Sequence, residues 1–196
     1  MQPVNNLLIS GLSPVTVGGA STSVLYFPAV PGASIGVASA NNGLLAVPGS
    51  GRANGQQLTV RATGNATLPG ADASSPAFTV GLYAVINPAI VSNAMNLPAS
   101  SSVVTLGTTQ HAAAGLGIQP FPWRLTADIS ADTLSGILQG TFSTQIDATY
   151  TASAAITSQS GINMSNTIPF ALLIGVTFSQ TGTGNTASMF QFSLEQ

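Results

Sequence analysis

Hydrophobic and polar residues alternate with a period of two along much of the chain. Residues 57–68 and 138–152 are apolar at every second position and polar between, and residues 123–129 repeat this pattern. Near the end of the chain, Phe190, Phe192 and Leu194 share an apolar face. Because successive side chains of a strand point to opposite faces, these four segments are predicted to be half-buried β-strands.

Other segments carry a different pattern. Residues 77–86 and 168–178 are almost uniformly apolar, which predicts central strands covered on both faces. Asn42-Gly43 predicts a hairpin turn, and the Gly- and Thr-rich residues 181–185 predict a separation between the last two strands. Weaker strands are predicted at residues 6–10, 23–27, 35–38, 44–47 and 103–106.

Helix has little support in the sequence. Asn87-Pro88 supplies a capping residue followed by proline, which favours a helix of one or two turns up to residue 96. Residues 111–117 are the second candidate for a helical turn. About ten short strands with frequent turns therefore predict an all-β protein, an antiparallel, jelly-roll-like β-sandwich with at most one or two short helices.

No shift in composition marks a boundary between two globular domains. Residues 21–196 are therefore expected to form a single sandwich domain. Residues 1–20 are rich in Pro, Gly and Asn and show little patterning. They are expected to form an N-terminal arm that lies on a neighbouring subunit or, alternatively, a loosely ordered terminus.

Charge is scarce. Only 4% of the 196 residues are charged, three arginines and five acids, whereas about a quarter is usual in soluble domains. Ser, Thr, Asn and Gln must therefore provide most of the polar surface that contacts water. Such a surface suits a protein packed permanently against other proteins. The net charge is −2, and the scattered Arg52, Arg61 and Arg124 are too few to neutralise nucleic-acid phosphates.

The chain has no cysteine, which excludes disulfides, thiolate metal ligands and cysteine nucleophiles. No apolar run approaches the roughly 18 residues of a membrane-spanning helix, and the N-terminus predicts no export signal. The composition nevertheless resembles that of extracellular proteins. A virion protein reconciles these properties, because it is assembled in the host cytoplasm and works outside the cell.

One catalytic motif is present. Gly32-Ala33-Ser34-Ile35-Gly36 matches G-x-S-x-G, and Asp72 and His111 follow in the order found in hydrolases. Such a nucleophile needs a strand before it and a helix after it, but a Pro-Gly pair precedes Ser34 and a strand-like run follows. We therefore expect no enzymatic activity. His111 is the single histidine and is predicted to lie in a loop, so no histidine-rich metal site is expected.

Two further groups of residues leave alternatives open. Asp128 and Asp132, with Asp147 on a neighbouring strand, have the residue type for a calcium site or for acid–base chemistry on glycosides. The alternative is a solvated strand face for Asp128 and a local turn for Asp132. Trp123 follows Pro120-Phe121-Pro122 and is either a sugar-stacking platform or a core residue.

The chain resembles the small jelly-roll decoration (cement) proteins of tailed bacteriophage capsids. The resemblance lies in its length, its all-β patterning, its charge-poor composition rich in Ser, Thr, Gly and Ala, and its initial Met1. It implies a homotrimer on the outer capsid surface that clamps subunits of the major capsid protein, without cofactor, metal, nucleic acid or membrane. The alternatives are a phage tail or fibre component forming stacked rings, a carbohydrate-binding β-sandwich adhesin, and an esterase.

Overall fold

The computed structural model describes residues 7–11, 15–18, 24–27, 46–47, 56–68, 77–86, 89–91, 94–96, 103–112, 120–132, 137–147, 150–156, 170–179 and 184–195. Within these segments the chain forms antiparallel strands and contains no helix. In chain order the strands are β1 (Leu7–Gly11), β2 (Val15–Gly18), β3 (Leu25–Tyr26), β4 (Ala46–Val47), β5 (Gln56–Thr67), β6 (Ala77–Ile86), β7 (Ala89–Val91), β8 (Ala94–Asn96), β9 (Val103–Ala112), β10 (Phe121–Asp132), β11 (Ile137–Ile146), β12 (Tyr150–Ile156), β13 (Phe170–Phe178) and β14 (Thr186–Glu195).

The strands pair as a nested series that alternates between two sheets. β6 pairs with β9 in the smaller sheet, and the flanking β5 and β10 pair in the larger sheet. Farther out, β3 and β4 pair with β13 in the smaller sheet, and β1 and β2 pair with β14 in the larger one. This nesting is the strand order of a jelly roll, so the predicted all-β sandwich fold is confirmed.

Additional strands extend this arrangement. β11 and β12 continue the larger sheet beyond β10, giving the order β1-β14-β5-β10-β11-β12, with β2 also paired to β14. The smaller sheet has the order β3-β13-β6-β9, with β4 also on β13. The larger sheet therefore presents a wide outer face built mainly from β14, β5, β10 and β11.

The two sheets enclose one apolar core. Trp123 on β10 is only 2% exposed and stacks on Phe27, with ring centroids 5.6 Å apart. Phe78 on β6 meets the edge of the Phe121 ring at 5.4 Å, and Phe142 on β11 is fully buried. Burying each such side chain stabilises the fold by about 1.5–3 kcal/mol. None of the buried side chains in the described residues is charged.

The central strands of the smaller sheet are buried on both faces. Leu172 and Ile174 of β13 contribute to the core between the sheets, whereas Leu173 points to the opposite face and is still only 1% exposed. Tyr83 of β6 lies outside the same core cluster and is 5% exposed. The prediction of two central strands from their uniformly apolar sequence is therefore confirmed.

The predicted helix over residues 87–96 is wrong. The described part of this segment forms the antiparallel hairpin of β7 and β8, in which Ile90 pairs with Met95. Ile90 and Val91 are β-branched, and such side chains fit a pleated strand better than a helical turn. This preference outweighs the helix-start signal of Asn87-Pro88. The predicted turn at residues 111–117 is also wrong at its start, because His111 and Ala112 end β9.

The predicted continuous strand over residues 138–152 is interrupted. β11 ends at Ile146, and β12 turns back from Tyr150 to pair with it. Asp147 lies in the left-handed region with φ of 59°, which ends the extended conformation. Aspartate is one of the few non-glycine residue types that adopts this region readily. Its amide donates a hydrogen bond to the Pro122 carbonyl at 2.7 Å, which fixes the turn against β10.

The remaining strand predictions are confirmed where the structure describes them. β1, β3, β4 and β9 correspond to four of the five weaker predicted strands, and the predicted separation after β13 is present. Residues 35–38, Asn42-Gly43 and part of residues 181–185 lie outside the described residues. β1 and β2 fall in the predicted arm and pair with β14 of the same chain, while the domain boundary at residue 20 stays a prediction.

Gly64 on β5 supplies a test of this packing. A Cβ atom there would overlap the carbonyl oxygen of Ser188 and the Trp123 indole, and a backbone group cannot rotate away. We expect Gly64→Ala to lower the free energy of unfolding by about 1–3 kcal/mol, measured by urea denaturation. Gly107→Ala is the matched control, because its Cβ would lie 3.1 Å from the Phe142 ring and needs only a small adjustment. Equal losses for the two variants would contradict this packing.

Candidate interaction surface

The outer face of the larger sheet is polar across β14, β5, β10 and β11. Because paired residues of neighbouring strands point to the same face, the register arranges their side chains in rows across these strands. The central row is Gln191, Thr63, Arg124 and Gln145. The row on one side is Ser193, Arg61, Thr126 and Ser143, and the row on the other contains Ser188, Asn65 and Pro122.

All the charged residues whose side chains the structure describes belong to this outer face or to the turn at its end: Arg61, Arg124, Asp128, Asp147 and Glu195. The predicted outward orientation of Arg61 and Asp128 is confirmed, because both are exposed. Asp147, predicted on the polar face of a strand, instead occupies the turn after β11 and is half-buried.

Two polar contacts cross strands on this face. Arg61 Nη1 lies 3.6 Å from Glu195 Oε1, and the Thr59 hydroxyl donates a hydrogen bond to Asp128 Oδ1 at 2.8 Å. The Arg61 side chain is 60% exposed, so solvent screens its ion pair strongly. These contacts orient the side chains but contribute little to the stability of the fold.

A β-bulge changes the alternation of β14. Met189 pairs with Gly64 and Gln191 pairs with Thr63, so Phe190 is an extra residue between two consecutive pairs on β5. Such a bulge reverses which face the following residues occupy. Phe190 and Gln191 are consequently both exposed.

The bulge corrects the prediction for the end of the chain. Phe192 and Leu194 point into the core as predicted, and Met189 joins them there. Phe190 does not share their face: it is 40% exposed, the one large hydrophobic side chain that is exposed among those the structure describes. A strict period of two is lost where one strand contains a residue more than its partner.

Two neighbouring depressions lie on the outer face beside Phe190. One of about 380 Å³ is lined by Arg61, Thr126, Gln191, Thr63 and Arg124, and the other, of about 400 Å³, by Phe190, Asn65, Pro122, Gln145, Asp147 and the same Thr63 and Arg124. Because Thr63 and Arg124 line both, we treat them as one trough, called the outer-face trough. It brings both arginines of the described residues and the exposed aromatic ring together.

The structure decides between the two alternatives for Trp123. The indole is buried, its ring stacks on Phe27, and its Nε1 has no hydrogen-bond partner in the described part of the chain. Trp123 is therefore a core residue and not a sugar-stacking platform. No feature of the local sequence signals that Phe190 takes the exposed position, because the bulge depends on the pairing of β14 with β5.

The three aspartates do not form one cation site. Asp147 lies beside Pro122, whereas Asp128 lies six residues farther along β10, which corresponds to about 20 Å of strand. Asp132 ends β10, four residues beyond Asp128. The described residues contain no group of three or more His, Cys, Asp or Glu side chains that could hold a metal ion.

Only one of the three candidate hydrolase residues, His111, lies in the part of the chain that the structure describes. Ser34 and Asp72 lie outside the described residues. His111, predicted in a loop, is instead on β9, paired with Phe78 and half-buried on the core side of the sheet. The prediction that His111 lies in a loop is therefore wrong.

No protein-family model matches the chain, and no curated protein matches it in sequence. In the described segments, no helix has the length and hydrophobicity to cross a membrane. The sandwich fold and the outer-face trough are therefore the features of the molecule that bear on its function.

The opposite environments of Phe190 and Phe192 can be tested by stability measurements. We expect Phe192→Ala to lower the free energy of unfolding by about 3–5 kcal/mol, because Phe192 is only 3% exposed. Phe190→Ala should change it by no more than about 0.5 kcal/mol, since its ring lies on the surface. Urea denaturation of both variants checks this expectation. A large loss for Phe190→Ala with a small loss for Phe192→Ala would show that the bulge is misplaced.

Proposed function

We propose that the protein is a non-enzymatic structural protein of a virion, a capsid decoration protein that binds the outer shell and stabilises it. The observation that carries the proposal is the combination of a jelly-roll sandwich with a wide polar outer face on which the few described charges nearly balance, two arginines against three acids. Jelly rolls recur in capsid proteins, but they also serve other functions. The surface chemistry therefore provides the more specific support.

The scarcity of charge suits dense packing on a particle. The described charges are two arginines and three acids, and the whole chain has a net charge of −2. At physiological ionic strength, charges more than about 8 Å apart are largely screened from one another. Copies with such surfaces can crowd on one shell with little mutual repulsion. Attachment then depends on apolar burial and hydrogen bonds.

The proposed assembly is a homotrimer bound to the major capsid protein on the capsid surface. Most soluble oligomers have closed rotational symmetry, and a threefold arrangement lets one decoration protein bind several neighbouring shell subunits. The resemblance to phage cement proteins points to the same oligomer. A tail or fibre component is the close variant within this class, and it would assemble into stacked rings.

Native mass spectrometry of the purified chain tests the assembly. We expect a homotrimer of about 59 kDa, three times the 19.6 kDa chain. A species twice or more that size, with ring-like stacks in electron micrographs, would favour the tail variant. A monomer at all concentrations tested would contradict the proposed trimer.

The attachment to particles should be almost insensitive to salt. Particles from a virus-producing culture of the source should carry the chain, detected by mass spectrometry after sedimentation. We expect the bound fraction to stay constant from about 0.05 to 1 M NaCl, because few charges contribute to the contact. Release of most of the protein at the high-salt end would contradict the proposed mode of attachment, and absence of the chain from the particles would contradict the decoration function itself.

A further inference from the structure

We propose that the outer-face trough binds an acidic saccharide, a pyranose that carries a carboxylate. This inference goes beyond the proposed attachment to a capsid and does not require it, because it depends only on the side chains that line the trough. It rests on the placement of two arginines, one exposed aromatic ring and several amide and hydroxyl groups in two adjoining depressions that share Thr63 and Arg124.

The arginines form the anionic end of the site. Arg61 pairs with Thr126 and Arg124 pairs with Thr63, so the two arginines are diagonal neighbours on β5 and β10. Diagonal neighbours on one face are about 7–8 Å apart, a spacing from which two guanidinium groups can reach one carboxylate. The chain has only three basic residues, and two of them line this trough.

Glu195 does not close this end of the trough. Its carboxylate lies 3.6 Å from Arg61 Nη1, which is longer than a good charge-assisted hydrogen bond. The Arg61 side chain is also largely exposed, so its donors can contact both Glu195 and a ligand. Arg124 is exposed as well and lines both depressions.

Phe190 supplies the apolar surface that a sugar ring requires. Exposing a phenylalanine ring to water is unfavourable, and here a β-bulge places it on the surface beside polar groups. Ligand sites commonly combine an apolar wall with a few polar groups that fix the orientation of the ligand. The C–H face of a pyranose can stack on such a ring while its hydroxyls point to the polar neighbours.

The polar neighbours line the same depression as Phe190. Asn65 and Gln145 offer amide donors and acceptors, and Asp147 offers carboxylate acceptors for hydroxyl groups. Asp147 is held in a left-handed conformation, a backbone state that is often found at binding sites. Its negative charge disfavours a second carboxylate there, so the acid group of the ligand should bind at the arginine end.

The size of the trough fits one or two sugar rings. Pro122, beside Asp147, and Thr126, beside Arg61, are four positions apart on β10, which corresponds to about 13 Å of strand. A nucleic acid is a poor match, because its phosphates would need more than two neighbouring cations. The combination of a carboxylate and an apolar ring face therefore defines the ligand class.

Titration calorimetry on the purified full chain can test the site. The probes are sialyllactose and digalacturonate, with lactose as the neutral counterpart of the first. We expect at least one acidic sugar to bind about tenfold or more tightly than lactose, and its affinity to fall as salt rises. No binding of either acidic sugar, or binding of lactose as tight as that of both acidic sugars, would overturn the proposal.

Matched variants assign the binding to the trough. Arg124→Gln should weaken binding of the acidic sugar about tenfold or more, and Phe190→Ala should do the same, whereas Phe190→Tyr should retain it. Asp128→Asn lies on the same face outside the trough and serves as a control that should leave affinity unchanged. Thermal unfolding confirms that each variant is folded. Displacement of the sugar by sulfate with no effect of Phe190→Ala would show a bare anion site and contradict saccharide binding.

Discussion

The separation of an apolar core face from a polar outer face in the larger sheet is the constraint on which the rest of the structure depends. β5, β10 and β11 alternate residue by residue, so nearly all of their apolar side chains enter the core and nearly all of their polar ones reach the outer face. Thr144, which is buried on the core side, and Pro122, which is exposed, are the exceptions among the described side chains. An uncharged core and a sparsely charged surface then follow from the same pattern. Charge scarcity consequently describes the surface of this protein. It is the basis of the proposed close packing against other molecules and specifies no reaction.

β14 also alternates between core and outer face, except at its bulge. This exception places an exposed phenylalanine on the outer face. One extra residue between Met189 and Gln191 moves Phe190 from the core side to the outer face. Phe190 there lines the same depression as Arg124, and the position of Arg124 depends on the register of β5 with β10. The trough is therefore a product of strand pairing, because the register of β14, β5, β10 and β11 sets which residues line it.

The sequence was sufficient to predict the sandwich because a period of two is a local signal that matches the side-chain geometry of each strand. It failed where local signals competed, as at Ile90 and Val91, or where one residue leaves the extended conformation, as at Asp147. It also failed at Phe190, since a bulge is defined by the partner strand. The proximity of Arg61 and Arg124 depends on pairing between distant segments, which a single sequence does not reveal.

A cysteine accessibility scan of β14 tests the central claim most directly. Because the natural chain has no cysteine, each variant carries a single thiol that can be labelled. Single substitutions Met189→Cys, Phe190→Cys, Gln191→Cys and Phe192→Cys would be labelled with a thiol reagent under native conditions. We predict rapid labelling at positions 190 and 191 together and protection at 189 and 192. Alternating protection, with 190 and 192 behaving alike, would show a regular strand and would contradict both the bulge and the trough beside it.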